Sequence, residues 1–343
     1  MTASQNFIPS KPITQEALGQ SEAFLDFQER LSRVAPIDRP VLLLGERGTG
    51  KELAATRLHF LSRRWQGPFV TLNCSSLAPS LVEAELFGHE KGAFTGADKR
   101  RTGRFEAAHN GTLFLDEIGA IPMEAQEKIL RVVEYGSFER VGSSVPIEVD
   151  VRIISATNAD LSRRCETGQF KPDLLDRLSF EVLFLPPLRK RSGDILLLAS
   201  HFAQRMAHEL ELDALPLFSA EASRALENHP WNGNVRELKN VVERAVYRAH
   251  DRTIREIVFN PFVSPYGELP DPVEPTGKTP EPAEGVPDFT TMPLKSAVAT
   301  LEIHLVNRAL SISRHNQRRA ADLLGLSYDQ LRGIIRKHRE KLQ

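Results

Sequence analysis

One short passage constrains this chain more than any other: Val41-Leu42-Leu43-Leu44, then Gly45-Glu46-Arg47-Gly48-Thr49-Gly50-Lys51, then a helical pattern with Ala54, Leu58 and Leu61 on one face. An apolar four-residue run bounded by glycine reads as a buried strand. Glycines directly after it let successive backbone N–H groups curl around phosphate oxygens, and the following helix N-terminus adds positive potential. Lys51 is placed to reach the β and γ phosphates of a nucleotide. Position 52 is Glu, where a phosphate loop usually has Ser or Thr, so no hydroxyl there can bind Mg²⁺. A metal must then rely on another carboxylate and on water, which Mg²⁺ tolerates.

More short apolar runs follow at Phe69-Leu72, Thr112-Leu115, Val151-Ser155 and Glu181-Leu185, separated by crossover-length segments. This alternation predicts an α/β fold with a mostly parallel sheet covered by helices. After Pro186-Pro187 the strand signals fade, and helical patterns such as Ile195-Leu210 and Val235-His250 predict a second, helical subdomain over 188–262. The α/β part spans 36–187, preceded by a polar and partly helical leader over 1–35 that is too short to be a sensory domain.

The strand Thr112-Leu113-Phe114-Leu115 ends in Asp116-Glu117. Ligands of such sheets bind beyond the carboxyl ends of the strands, so both acids belong to the same edge as the glycine loop. Asp116 is the candidate Mg²⁺ ligand and Glu117 the group that polarises an attacking water in ATP hydrolysis. An acidic strand end alone is a weak signal; with Lys51 upstream it is a strong one.

These two motifs, together with Glu85-Leu86-Phe87-Gly88-His89-Glu90-Lys91 leading into Gly92-Ala93-Phe94-Thr95-Gly96-Ala97, resemble bacterial enhancer-binding proteins. Those are the AAA+ ATPases that activate sigma-54 RNA polymerase. The likeness covers residues 20–260 and the tail. It implies a P-loop AAA+ domain with a helical lid, a homo-hexamer, ATP and Mg²⁺ as cofactors, and a sigma factor contacted by Phe94 and Thr95 within the 92–97 loop. An exposed Phe on a mobile loop is costly in water without a partner, and a Phe buried as an anchor is the alternative. Glu139-Arg140-Val141-Gly142 is a second candidate loop supporting the first.

The resemblance also assigns roles one residue at a time. Asn73 resembles the switch residue that pairs with the catalytic Glu117, and Thr157-Asn158 the polar sensor of the γ-phosphate. Arg177, in Asp173-Leu174-Leu175-Asp176-Arg177-Leu178, resembles an arginine finger reaching a neighbouring subunit's nucleotide. An always-charged planar guanidinium suits the spread charge of phosphoryl transfer. Lys171 stands where the family carries a second arginine. Arg236, in Trp231-Asn232-Gly233-Asn234-Val235-Arg236-Glu237-Leu238, resembles a second sensor projecting from the lid.

Ser264-Pro293 contains eight prolines, and from Ser264 to Met292 six acids stand against one lysine, which predicts an extended acidic linker over 263–293. From Leu294 to Gln343 ten Lys/Arg stand against four Asp/Glu. A basic module beyond an acidic linker points to a polyanion partner for the tail, although the whole chain carries a net charge of only -1. Leu294, Val298, Leu301 and Leu305 share one helix face, suited to pairing two tails. Asn316-Leu326 reads as a short helix ending in a glycine turn, and Ser327 caps the next, Tyr328-His338. Two short helices joined this way match a helix-turn-helix, with Arg318, Arg319, Tyr328, Gln330, Arg332, Arg336 and Lys337 as candidate DNA-binding residues. The module resembles the all-α Fis-type domain of the same family, which implies enhancer DNA as its ligand.

Within the family, the start close to the ATPase and the segment Arg64-Trp65-Gln66-Gly67-Pro68-Phe69 resemble the branch that activates phage shock operons under membrane stress. That resemblance implies an inhibitor of the phage shock protein A type. Trp65, in a polar loop, is its candidate contact, with a core Trp as the alternative. Two cysteines without metal-ligand spacing, no long apolar run and no signal pattern lead to the expectation of a cytoplasmic protein. Two other readings differ in kind. An AAA+ unfoldase motor requires an aromatic pore loop, not seen here. A repressor with a vestigial ATPase fold would lack the acidic pair or the Gly92–Ala97 loop, and both are present.

Overall fold

The computed structural model describes residues 17–94, 97–249, 251–263, 293–313 and 316–338, and divides into two compact units after Phe262. The first unit is built on five parallel strands: β1 (Val41–Leu44), β2 (Phe69–Asn73), β3 (Gly111–Asp116), β4 (Val151–Thr157) and β5 (Glu181–Phe184). Their order is β2-β3-β4-β1-β5, and every pairing is parallel. Side chains alternate between two cores. Leu42, Leu113, Leu115 and Ile153 enter one, while Val41, Leu43, Phe114 and Ile154 enter the other. Burial on both faces explains why these strands read as continuous apolar runs.

Helix α1 (Glu22–Val34) places Phe24, Phe27, Leu31 and Val34 in the second core beside Val41 and Leu43. Buried Arg152 of β4 fixes the connection that follows by donating to the carbonyls of Ala35 and Arg39. Residues 17–35 are therefore part of the ATPase body and not a separate leader: a helix with this apolar stripe has to bury it. Helix α2 (Lys51–Phe60) starts on the glycine loop and buries Ala54, Ala55 and Leu58. Leu61 lies just past its end and is exposed, so it does not join the buried face.

After β2 come α3 (Pro79–Phe87), a loop reaching residue 97, and, beyond β3, α4 (Met123–Tyr135). Helix α5 (Pro172–Leu178) precedes β5. The lid comprises α6 (Asp194–Glu209), α7 (Ala220–Asn228) and α8 (Asn234–Arg248) around Leu198, Phe202, Trp231, Leu238 and Val242. Trp231 is fully buried, and its indole N–H donates to the Leu226 carbonyl at 2.8 Å, satisfying its one polar atom.

In the second unit α9 (Leu294–Ile312), α10 (Gln317–Leu323) and α11 (Tyr328–Lys337) enclose a small core of Val306, Ala309, Leu310, Ala320, Ala321 and Leu331. Gly325, at φ +64°, makes the turn between α10 and α11. Ser327 and Gln330 close a capping box at the start of α11. The linker at 264–292 lies outside the described residues.

Candidate functional site

The glycine loop runs from the carboxyl end of β1 into α2, with Gly48 and Gly50 at φ +76° and +102°. These left-handed values are open to glycine and strained for other residues. Thr49 Oγ1 donates to the Glu46 carbonyl, and Lys51 Nζ donates to the Gly45 carbonyl at 2.9 Å. Burial pulls the Lys51 ammonium below the usual lysine range, against the opposing pull of Glu117 and Asp116. The lysine and both acids thus share one electrostatic environment. Glu52 is exposed on the first turn of α2.

The loop also leans on the lid. Arg236 N donates to the Gly48 carbonyl at 3.3 Å, and a Cβ on Gly48 would lie 2.2 Å from the Gly233 carbonyl oxygen. The Glu46 carboxylate takes hydrogen bonds from two lid residues, Arg189 Nη1 at 2.7 Å and Asn234 Nδ2 at 3.0 Å. Arg189 and Asn234 carry no local sequence signal of this role. Nothing in Leu188-Arg189-Lys190 or Asn232-Gly233-Asn234 marks a residue that bonds to a side chain more than 140 positions earlier.

Register places the acids. Asn73 and Asp116 are direct partners on neighbouring strands, and Asn73 Nδ2 donates to Asp116 Oδ2 at 3.3 Å. The expected pairing of Asn73 with Glu117 is not what the structure has. Glu117 follows the strand in a left-handed conformation, φ +54°, which turns its side chain to β4, where Thr157 Oγ1 donates to Oε2 at 3.3 Å. Desolvation, then the adjacent Glu117, pushes the Asp116 carboxyl above the ordinary aspartate range. Such a half-buried acidic pair is an environment that welcomes a cation. Among the described residues no three acids, histidines or cysteines gather as a protein-only metal cage. The donor set fits Mg²⁺, which keeps waters and takes substrate phosphates as ligands. Asn158 is exposed beside Thr157.

Arg177 and Lys171 stand elsewhere. Arg177, on α5, pairs with Glu134 of α4 at 3.0 Å, and Lys171 pairs with Glu127 of α4 at 2.7 Å. Neither is among the hydrogen-bond partners of the glycine loop or the acidic pair within this chain.

The Gly92–Ala97 loop is braced at its base. Val141 N donates to the Gly88 carbonyl and Glu90 N to the Val141 carbonyl, both at 3.0 Å. Arg140 bonds Glu90 at 3.0 Å and also holds Glu106. Gly142, at φ +81°, has Ala93 Cβ 2.8 Å from where its own Cβ would be, so the 139–142 segment lies against the loop. Gly92 N donates to the Ala97 carbonyl at 2.9 Å. Phe94 is 40% exposed, its ring edge-on to His89 with centroids 4.9 Å apart. It is not a core anchor. Thr95 and Gly96 lie outside the described residues.

Trp65 is 54% exposed, so it is not a core residue either. Its neighbour Arg64 is fixed by Asp38 at 2.6 Å and Asp150 at 2.7 Å. In the second unit Arg318, Arg319, Tyr328, Arg332, Arg336 and Lys337 are all exposed. Gln330 differs from expectation: its side-chain oxygen accepts from Ser327 N at 2.8 Å, so this amide closes a helix end. Lys337 is tied to Glu302 of α9 at 3.0 Å.

A phosphate loop between strand and helix, an acidic neighbouring strand end and a helical lid against the loop define a AAA+ ATPase. Comparison with known proteins narrows this. Residues 17–183 match the sigma-54 interaction domain and residues 189–265 the AAA+ ATPase lid domain. The chain is 50% identical to the Psp operon transcriptional activator of Escherichia coli (strain K12), over 94% of this chain and 97% of that one. It is 43% identical to the DNA-binding transcriptional regulator NtrC of Rhizobium meliloti (strain 1021), over 93% of this chain and 69% of that one. The crystal structure of NtrX from Brucella abortus in complex with ATP superposes with a TM-score of 0.65 at 32% identity, covering 95% of this chain and 70% of that one. The chain belongs to the sigma-54-dependent transcription activators, AAA+ ATPases that act on sigma-54 RNA polymerase.

Proposed function

We propose that ATP hydrolysis in a ring of these subunits drives the Gly92–Ala97 loop against sigma-54 and so remodels the closed promoter complex. The observation that carries this reading is Phe94: a large aromatic left 40% exposed at a loop whose base is anchored from two sides. A fixed base and an unburied tip suit a part that is moved as a unit and grips a partner.

The nucleotide lies on Gly45–Lys51, with Lys51 at the phosphates, Thr157 and Asn158 near the γ position and Arg236 approaching from the lid. Asp116 would hold Mg²⁺, which when bound would neutralise phosphate charge. Glu117 orients and deprotonates the attacking water, and its bond from Thr157 sets the carboxylate's direction. Chain continuity links the site to the loop. Asn73 Oδ1 accepts from Ser75 N at 3.0 Å, α3 begins at Pro79, and α3 ends where the loop base starts. A change at the phosphates that alters the Asn73–Asp116 bond therefore has a short covalent route to Phe94.

Arg177 and Lys171 serve the neighbouring subunit of a homo-hexamer. An exposed ion pair such as Arg177–Glu134 contributes at most about 1 kcal/mol, little enough to be exchanged for a phosphate. The tail binds enhancer DNA through α11, with Arg332 and Arg336 free of ion-pair partners among the described residues. Leu294, Val298, Leu301 and Leu305, all exposed along α9, pair two tails. The likeness to the Psp operon activator supports a phage shock operon as target, and exposed Trp65 is the contact assigned to a phage shock protein A type inhibitor.

The test is transcription from a sigma-54 promoter with wild type, Glu117→Ala and Thr95→Ala. Loss of transcripts in both variants, with ATPase largely kept only in Thr95→Ala, is the expected result. Wild-type transcript levels with Thr95→Ala would remove the loop from the mechanism.

A further inference from the structure

The second residue of a phosphate loop sits beside a triphosphate carrying several negative charges, a poor place for a free carboxylate. In this chain that residue is Glu46, and its side chain has been given to the lid. Arg189 approaches it with both guanidinium nitrogens, the bidentate geometry that orients as well as attracts. Asn234 Nδ2 adds a bond at 3.0 Å to the same carboxylate and another at 3.1 Å to the Arg47 carbonyl. Asn234 is fully buried, and its Oδ1 accepts from Leu188 N at 2.7 Å. One amide thus joins the two lid segments that carry Arg189 and Arg236 to the phosphate loop. Asn234 also takes φ +52°, a left-handed value that Asn tolerates better than most residues. Residues 46, 47 and 48 each hold a lid partner, the last through Arg236 N on the Gly48 carbonyl. The ion pair and the asparagine together keep the Glu46 carboxyl near pKa 2, so it is ionised at any physiological pH.

We propose that Glu46, Arg189 and Asn234 form a latch that makes the phosphate loop and the lid move as one body, so that nucleotide affinity depends on a lid contact that never touches nucleotide. Glu46 acts through its side chain as a positioning residue, separate from the backbone contribution of the loop. The latch sets where Arg236 stands, because α8 begins at Asn234, two residues before it. The inference rests on Gly45–Lys51 being the phosphate site and is independent of which macromolecule the ATPase works on.

The experiment uses the full chain and compares Arg189→Ala, Arg189→Lys, Glu46→Gln and the double variant Glu46→Gln/Arg189→Ala, with Lys51→Ala as control. Arg189 is exposed enough that its replacement leaves the fold standing. Expected for Arg189→Ala is a rise of about tenfold in KM for ATP with kcat within about twofold, and an unchanged melting temperature without nucleotide. Arg189→Lys recovers part of the affinity, since a point charge replaces a fork. The double variant is no worse than the worse single one, because both remove the same contact. A KM for Arg189→Ala equal to wild type, or effects of the two substitutions that simply multiply, overturns the latch while the phosphate-site assignment survives. Nucleotide binding that persists in Lys51→Ala overturns both.

Discussion

Thr157 Oγ1 donates to Glu117 Oε2 at 3.3 Å, which ties the residue expected to activate water to the strand on one side while Asn73 holds Asp116 on the other. The two adjacent acids are thereby given different partners, a geometry that suits one to a metal and the other to a water. Thr157→Val keeps the shape and removes the donor. Its kcat for ATP should fall about tenfold or more with KM within about threefold, measured by steady-state phosphate release. A large rise in KM at unchanged kcat would place Thr157 in binding alone.

Asp116 gives a pH-dependent prediction. Its carboxyl is raised by burial and by Glu117 above the reference 3.8, so the nucleotide-free fold binds this proton more readily than the unfolded chain does. The associated stability is complete below the unfolded value and is lost as pH rises through the folded one. At neutral pH the ionised Asp116 is therefore a cost, and Asp116→Asn should raise the nucleotide-free melting temperature by about 1–3 °C while abolishing turnover. The gain should shrink as pH is lowered towards 4, followed by calorimetry. Equal melting temperatures at pH 7 would remove this electrostatic cost.

An arginine finger that acts on a neighbouring subunit should show itself when variants are mixed. Arg177→Ala alone should lose on the order of 10³-fold in ATPase, and Glu117→Ala alone should be inactive. Mixed rings should regain activity, because a Glu117→Ala subunit still offers Arg177 to a neighbour whose Glu117 is intact. No recovery in rings shown to be mixed would argue for action in cis.

In the tail, phosphate contacts should be read by salt. Arg332→Ala and Arg336→Ala should each weaken DNA binding and reduce the slope of log K against log salt by about 1. Gln330→Ala should lower the thermal stability of the tail by about 1 kcal/mol through its lost capping box, with no change in that slope. A fluorescence anisotropy titration at several salt concentrations separates the two outcomes.

Strands were the most legible part of this sequence, because two-sided burial in a parallel sheet leaves uninterrupted apolar runs such as Val41–Leu44 and Leu113–Leu115. The site was legible where one local motif carries it: Gly45–Lys51 and Asp116–Glu117. What stayed hidden depends on tertiary placement. Asn73 meets Asp116 and not Glu117 because strand register pairs them and a left-handed φ turns Glu117 aside, and neither can be read along the chain. Arg189 is one of many exposed arginines until the lid brings it to Glu46. The α1 stripe of Phe24, Phe27, Leu31 and Val34 shows helical spacing in the sequence, yet only packing assigns it to the ATPase body.

In the proposed mechanism nucleotide chemistry is delivered to a loop whose aromatic tip grips sigma-54. The most direct measurement of this is complex formation between this chain and purified sigma-54 with ADP and aluminium fluoride trapped at the site, compared with ADP alone. A stable complex is expected with the trapped transition-state mimic, none with ADP, and loss of the complex in Phe94→Ala with nucleotide trapping intact. Binding of equal strength with ADP alone, or a Phe94→Ala chain that still captures sigma-54, would contradict that mechanism.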